Sequence, residues 1–487
     1  MTGTDATSPA ATSPAATTRD TAHESRAEAL APGFATAEVD AISAARLADG
    51  GLRYALVDGA DPEAFANWLR SDDRGFHLGT RDEKQYEESR AGIAYRRTIG
   101  VYDDTLTVDA AVPVATVDSW PAELTIPGST IENPRTLPSW AISSVTVAST
   151  HRRRGIARNL LEGELRTAHA LGVPMAMLTV SESTIYGRFG FSPAAFAADW
   201  TIDTRRAIWI GPAASGRVEF IGIDVYRREV AALFDRVRYA NVGDIDVWPL
   251  RWDQLIGATA PDSERTKQLR AVRHTDASGV THGLALYRVT GGEPNFSQHV
   301  VEVERFDAET SDAASTLWRY LLELDLVTEV KAALRPSDET LRWQIADFRS
   351  AEVKTWEHQY LRVLDVPAVF EARTYAAPGD LILDVSDALG FAAGIWRLSV
   401  VERSLVVEPV ETTSTSYSAT VTKLQTAPSG IPLLHLTANE LASVYLGGVA
   451  VTTLLDAGRV SEGEPGDAVI ADGILRSARA PWLSVWY

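Results

Sequence analysis

The stretch SVTVASTHRRRGIARNLL, residues 144–161, sets three arginines, Arg152, Arg153 and Arg154, directly before Gly155 and a run with helical periodicity. Leu161, Leu165 and Ala168 recur at i, i+4 and i+7, on one face of a helix. Gly172 stands where a helix closes on a left-handed glycine. The first amides of a helix have no intrahelical acceptor and carry the positive end of its dipole, so an anion is stabilised there. Guanidinium groups have the wrong sign for that position unless an anion joins them, and then they add charge-assisted hydrogen bonds. These residue types fit a seat for a pyrophosphate. Gly155 and the small Ala157 let phosphate oxygens approach the backbone. The other reading of the same run is a solvated basic stretch ahead of a helix.

Such a seat needs a strand before it and a strand after it. Residues 140–147 are strand-like, 155–171 helical and 173–180 strand-like again, a βαβ unit. Alternation slips between Ile142 and Val145, as a bulge would cause. Upstream, residues 61–69 read as an amphipathic helix with Phe65, Trp68 and Leu69 on one side, either core or pocket wall. Residues 112–117 read as a strand and the turn-rich 121–138 as a connection. Downstream come a loop at 211–216, strands near 283–289 and 300–303, and a helix at 313–324. The remainder has short β-rich pieces at 381–385, 395–401 and 418–421, then helices at 438–445 and near 449–455. Residues 1–33, rich in Ala, Thr, Ser and Pro, read as a disordered tail.

Composition narrows the chemistry. The 487 residues carry a formal charge of −19, which disfavours nucleic acid and anionic membrane surfaces as partners and favours cationic small molecules or peptides. With no cysteine, disulfides, thiolate metal sites and cysteine nucleophiles are excluded. The nine histidines form no H-x-x-x-H or H-x-H pair, so no metal is expected. No apolar run approaches the ~20 residues that span a bilayer, and no signal peptide is evident, so a cytoplasmic protein is expected.

Arg152, Gly155 and Ala157 after a strand resemble the acetyl-CoA signature Q/R-x-x-G-x-G/A of the GNAT N-acetyltransferases. Together with SESTIYGRFGFSPA (181–194), YLRVLDVPAVFEARTY (360–375) and YLGG (445–448), the pattern is similar to the Eis-type subfamily. The resemblance implies a mixed α+β chain of tandem GNAT folds followed by a sterol-carrier-like domain. Its boundaries would be a tail at 1–33, a catalytic GNAT domain at 34–204, a GNAT-like domain without a cofactor motif at 205–366, and the sterol-carrier-like domain at 367–487. It implies acetyl-CoA as co-substrate, bound by backbone groups of Val145 and Val147, by Arg152, Arg153, Arg154, Gly155, Ile156 and Ala157, and by Ser181. It implies acidic residues along a cleft for a cationic amine acceptor (aminoglycoside, polyamine or lysine side chain) and a homo-oligomer, often a hexamer.

Transfer to an amine needs an acid for the departing thiolate and a way to remove the amine proton. The resemblance places the acid at Tyr186, whose phenol of pKa ~10 can donate; Ser183 and Thr184 are candidate N-caps for its helix. Without the motif, Tyr186 reads as a core tyrosine. The chain ends in APWLSVWY, apolar where most termini are polar and frayed, so it is expected to dock on protein. By the resemblance the carboxylate of Tyr487 is the base. A carboxyl of pKa ~3.5 lies about seven units below an amine, so burial raises it, the site lowers the amine, or the carboxylate orients water. A CoA- or lipid-binding protein without turnover is the competing reading.

Overall fold

The computed structural model describes residues 21–402, 404–410 and 430–487. The strand expected at 418–421 and the first twenty residues lie outside this set. The chain opens with α1 (Thr21–Leu30), α2 (Ala41–Asp49), β1 (Arg53–Leu56), α3 (Pro62–Gly75), α4 (Glu83–Ile93), β2 (Arg97–Tyr102), β3 (Ala115–Thr125) and β4 (Thr136–Val147). There follow α5 (Ile156–Ala170), β5 (Met175–Thr179), α6 (Ser183–Tyr186) and β6 (Ser192–Asp203). A second set repeats the plan: β7 (Arg217–Ile221), α7 (Ile223–Val237), α8 (Pro249–Leu255), α9 (Glu264–Gln268), β8 (Arg270–Thr275), β9 (Thr281–Gly291), β10 (His299–Ala308), α10 (Ser311–Leu322), β11 (Val327–Arg335) and β12 (Ala351–Val363). The last set is α11 (Val366–Ala372), β13 (Gly379–Ser386), β14 (Gly394–Val401), β15 (Ser404–Pro409), β16 (Leu433–Thr437), α12 (Ala438–Tyr445), α13 (Val451–Asp456), β17 (Ser461–Glu462) and α14 (Asp467–Leu475).

In each of the first two sets four antiparallel strands lead through a helix to a fifth strand parallel to the fourth: β1–β4 with β5, and β7–β10 with β11. The two sets share one sheet of order β1-β2-β3-β4-β5-β12-β6-β11-β10-β9-β8-β7. The last strand of each set lies against the fifth strand of the other: β12 pairs with β5, and β6 with β11. A break at 204/205 is therefore a division of the chain and not of the packing. The third set builds a separate sheet, β15-β14-β13-β16-β17.

Two expectations need correction. Residues 21–33 belong to the fold: α1 contacts β3, and Ala27, Ala31 and Phe34 are buried in the core. The buried positions of α1, His23 and Ala27 with Ala31 just beyond, are a polar ring and weakly apolar alanines, which hid the stripe. The turn-rich 121–138 is a connection only over residues 126–135; residues 121–125 belong to β3 and 136–138 to β4, with Pro121 paired to Trp140 inside the ladder.

Helix α5 is fixed by more than apolar packing. Glu164, on its buried face, accepts hydrogen bonds from Arg97 Nε of β2 at 3.2 Å, from the Ser119 hydroxyl of β3 and from Trp140 Nε1 of β4 at 3.3 Å. Arg97 in turn donates to the carbonyls of Ala37 and Glu38. One carboxylate thus ties the helix to three strands. Glu164→Gln should destabilise the protein by about 3 kcal/mol, because it leaves the Arg97 charge buried without its counterion. Urea denaturation measures this, and a loss under about 1 kcal/mol would show that the pair does not hold α5.

Candidate active site

The site begins where two parallel strands part. β4 and β5 pair only through Ser139, Trp140 and Ala141, opposite Met175, Ala176 and Met177. Beyond Ala141, β4 keeps β3 on one side and has no strand on the other. The slip in alternation marks a real bulge: the β3–β4 register shifts between Thr116 and Asp118, and Ser144 has φ 53. The Thr116 hydroxyl holds it by donating to Ser144 O at 2.7 Å. The C-terminal end of α3 presses on the same place, where a Cβ on Gly75 would meet Thr146 Cβ at 2.4 Å. Val145 and Val147 lie half-buried on this open edge of β4.

The arginine turn follows. Arg153 has φ 64, and Gly155, the N-cap of α5, has φ 75 and supplies no side-chain cap. Arg154 is partly committed to the fold, donating to Gly50 O at 2.7 Å and lying 3.4 Å from Asp103. Asp103 also meets His151 at 3.1 Å; the Thr105 hydroxyl and then His151 hold its carboxyl well below the usual range. Arg152 and Arg153 are exposed and have no side-chain partner among the described residues. Ile156 is buried and Ala157 half-buried in the first turn of α5, and Ser181 is exposed just past the end of β5.

Tyr186 ends the short α6, whose N-cap is Glu182 and not Ser183 or Thr184; no side chain caps it. Its ring is buried, edge-on to Phe191. Burial, with a smaller push from Glu182, holds its phenol above the usual tyrosine range, so it keeps its proton at neutral pH. The turn after it is braced from outside. Asn439 of α12 donates to Gly187 O and Phe191 O at 2.9 and 2.8 Å, and Arg362 of β12 donates to Phe189 O at 2.7 Å.

The C-terminal segment docks, as its composition implied. Trp482 N–H donates to Val242 O at 2.7 Å, Asp244 accepts from Ser484 N–H and its hydroxyl, and Arg305 donates to Ser484 O at 2.9 Å. Buried His358 donates from Nε2 to Val485 O at 2.8 Å; burial lowers its pKa to about 4, so it is the neutral form. The Tyr487 ring packs edge-on to Trp120 of β3. Its main-chain oxygen accepts from the Thr179 hydroxyl at 2.6 Å. Thr179 is the last residue of β5, so the chain end arrives at the mouth of the splay.

Carboxylates that the sequence reading missed lie beside the bulge. Asp118 of β3 pairs with Arg96 at 2.9 Å, and Arg96 lies over the Trp120 ring at 3.5 Å. Asp73 pairs with Arg81 at 2.7 Å. Asp72 is buried and has no ion-pair partner among the described residues. Desolvation, then the charge of Asp118, pushes its carboxyl up to about 7, against a hydrogen bond from Ser144 at the bulge. A signal for Asp72 existed: it continues the apolar spacing of Phe65 and Trp68 at i+7 and i+4, where a carboxylate is out of place. Phe65 and Trp68 themselves are core, each 0% exposed, with Trp68 Nε1 bonded to Ile99 O at 2.9 Å.

Among the described residues no group of three or more His, Cys, Asp or Glu is placed to hold a metal, and no helix is long and apolar enough to cross a membrane. Residues 57–194 and 245–363 each match an acetyltransferase (GNAT) domain, and 366–484 match a sterol carrier protein domain. An uncharacterized N-acetyltransferase of Streptomyces avermitilis is 33% identical over 426 residues, 86% of this chain and 95% of that protein. The N-acetyltransferase Eis of Mycobacterium tuberculosis is 34% identical over 284 residues, 56% of this chain and 66% of its own. The crystal structure of Eis1 from Mycobacterium abscessus superposes with a TM-score of 0.72 at 25% identity, covering 90% of this chain and all of that one. An enzyme fold repeated along one sheet, a strand splay served by an arginine turn, and this extent of identity agree: the chain belongs to the GNAT N-acetyltransferases, in their Eis-type branch.

Proposed function

We propose that the protein transfers an acetyl group from acetyl-CoA to a cationic amine at the β4/β5 splay, with Tyr186 as acid and the Tyr487 carboxylate as base. The observation that carries this reading is the hydrogen bond from the Thr179 hydroxyl, at the end of β5, to the Tyr487 main-chain oxygen. The residues present fit the co-substrate. Arg152 and Arg153 are two unmatched guanidiniums at an uncapped helix start, which suits a pyrophosphate. The free edge of β4 at Val145 and Val147 offers backbone groups to an amide-bearing arm, and Ser181 stands at the mouth. Arg154, Gly155, Ile156 and Ala157 complete the turn.

Acetyl-CoA supplies an acetyl thioester, whose carbonyl carbon is the electrophile. The amine nitrogen forms the new C–N bond as the C–S bond breaks. Tyr186, kept protonated by burial, gives its proton to the departing sulfur. The amine proton leaves toward the Tyr487 carboxylate, directly or through water. Asp72, a buried carboxyl without a counterion and about half-ionised at pH 7, would take its full charge opposite an ammonium group. The family resemblance extends the reading to aminoglycosides, polyamines or lysine side chains as acceptors, and to a cytoplasmic homo-hexamer. The competing reading, a non-catalytic CoA- or lipid-binding role, gives Tyr186 and Tyr487 no part to play.

One glycine appended after Tyr487 displaces the carboxylate without touching the arginine turn. Amine acetylation by that protein should fall about 100-fold or more while CoA affinity by calorimetry stays within twofold; an unchanged rate removes the carboxylate from the mechanism.

The Asp72 carboxyl has an ordinary value of 3.8 and sits at about 7 in the fold, so between those pH values the native state binds the extra proton. Stability therefore falls as pH rises from about 4 to 7, by up to about 4 kcal/mol at 1.36 kcal/mol per unit. Asp72→Asn should remove that loss. Urea midpoints across the range measure it, and a wild-type curve of the same slope as the variant's would place Asp72 in a solvated site.

A further inference from the structure

The second set of elements has its own splay. β10 and β11 run parallel from His299 to Val303 opposite Val327 to Ala332, then part. The β9–β10 register shifts between Val303 and Arg305, as the β3–β4 register does in the first set. A cavity of about 170 Å³ lies in this fork. Its walls include Arg251 of α8, Trp252, Phe306 of β10, and Trp482, Ser484 and Val485 of the C-terminal segment.

The charges around it do not cancel. Arg305 is matched by Asp307 at 2.7 Å and Arg335 by Glu339 at 2.6 Å. Glu304 is taken by Arg265 and Arg288, each at 2.7 Å. Arg251 is left with no ion pair or side-chain hydrogen bond among the described residues. Burial, then its cationic neighbours Arg305 and Arg265, depress its pKa, the signature of a charge lacking its counterion. Glu304, Arg305, Arg335 and Ser484 also line it, each already bonded within the protein, with Arg305 and Arg335 stacked on the Trp252, Phe306 and Trp482 rings. Leu255, Val303, Ala333, Leu334 and Val485 join these rings to make the larger part of the wall apolar. An apolar cavity of roughly 150 Å³ is large enough for benzene. One unmatched guanidinium against aromatic walls suits a carboxylate on a small apolar body better than phosphate, which needs several donors at once.

We propose that this fork binds a small apolar carboxylate, of the size of benzoate, with Arg251 as its counterion, and that its occupancy steadies the C-terminal segment. Trp482, Ser484 and Val485 are both its wall and the last residues before the end of the chain. Binding here is independent of the catalytic reading; a consequence for turnover rests on the role proposed for Tyr487.

The test titrates the full chain with sodium benzoate, using thermal denaturation and calorimetry. An R152A/R153A background removes the arginine turn as a competing anion site. Benzoate should raise Tm in the wild type and in that background, with benzamide, its neutral isostere, and inorganic phosphate at least tenfold weaker. Arg251→Gln should weaken benzoate at least tenfold. Hydrogen exchange at the amides of residues 483–487 should slow at least threefold with benzoate in the wild type and not in Arg251→Gln. No binding, equal binding of benzamide or phosphate, or undiminished binding by Arg251→Gln would overturn the site. The benzamide comparison needs no variant and stands even where Arg251→Gln fails to fold. Benzoate binding with unchanged exchange would overturn the link to the chain end, and neither readout depends on acetyl transfer.

Discussion

A parallel strand pair that parts after a few residues leaves main-chain polar groups without a ladder, and such groups cannot stay buried and unmet. The rest of the architecture answers that demand twice, in opposite ways. In the first splay the helix that follows starts at Gly155 without a side-chain cap and with arginines where carboxylates are usual, the features on which the proposed anion seat rests. In the second splay the chain answers for itself. Arg335 donates to Phe306 O and Trp482 Nε1 to Leu334 O, two carbonyls on the parted strands. Its helix, α10, is capped by Thr310 and carries Asp312 in the first turn, an ordinary self-sufficient start. Two copies of one fold therefore differ in what they leave unmatched, and the pyrophosphate seat proposed above belongs to the first.

The same accounting, applied to charge, separates the two halves again. Buried pairs such as Asp118 with Arg96 and Arg305 with Asp307 are matched one to one. Asp72 beside the first splay and Arg251 beside the second have no ion pair among the described residues; Asp244 and Arg373 lack one too, but hydrogen bonds from Ser484 and to the carbonyls of Tyr445 and Leu475 meet them. Structural ion pairing explains neither Asp72 nor Arg251, because each stands within reach of charges already committed elsewhere. A remainder of negative sign suits an ammonium acceptor. A remainder of positive sign, walled by tryptophan and phenylalanine, suits a carboxylate.

Much of this was legible in the sequence because it is local. The arginine turn, α5 and its buried face, the bulge near Ile142 to Val145 and helix α12 (Ala438–Tyr445) each rest on spacing within one element. What escaped is what depends on contacts between distant segments. The exchange of β6 and β12 between halves has no local signal, since each strand reads alike whichever neighbour it finds. The brace of Asn439 on the turn after Tyr186 joins residues 252 and 248 positions apart. α1 was lost to its alanines and buried His23, and the ends of β3 and β4 to Pro121 and Pro138, which strands tolerate where the amide is not needed.

That long-range wiring also gives the third set of elements a mechanical purpose. The turn carrying Tyr186 is a four-residue helix without a side-chain cap, a weak structure by itself. It is held by α12 through Asn439, and by Arg362 of β12, whose guanidinium is anchored by Asp387 at 2.7 Å in the loop after β13. The same region sends out the chain end, which crosses the second splay and comes to rest on Thr179. A sterol-carrier-like module need not bind a lipid to be indispensable in such an arrangement. It fixes the phenol by packing and brings the Tyr487 main-chain oxygen to Thr179 by covalent connection, so the two groups proposed to handle protons are set by one body.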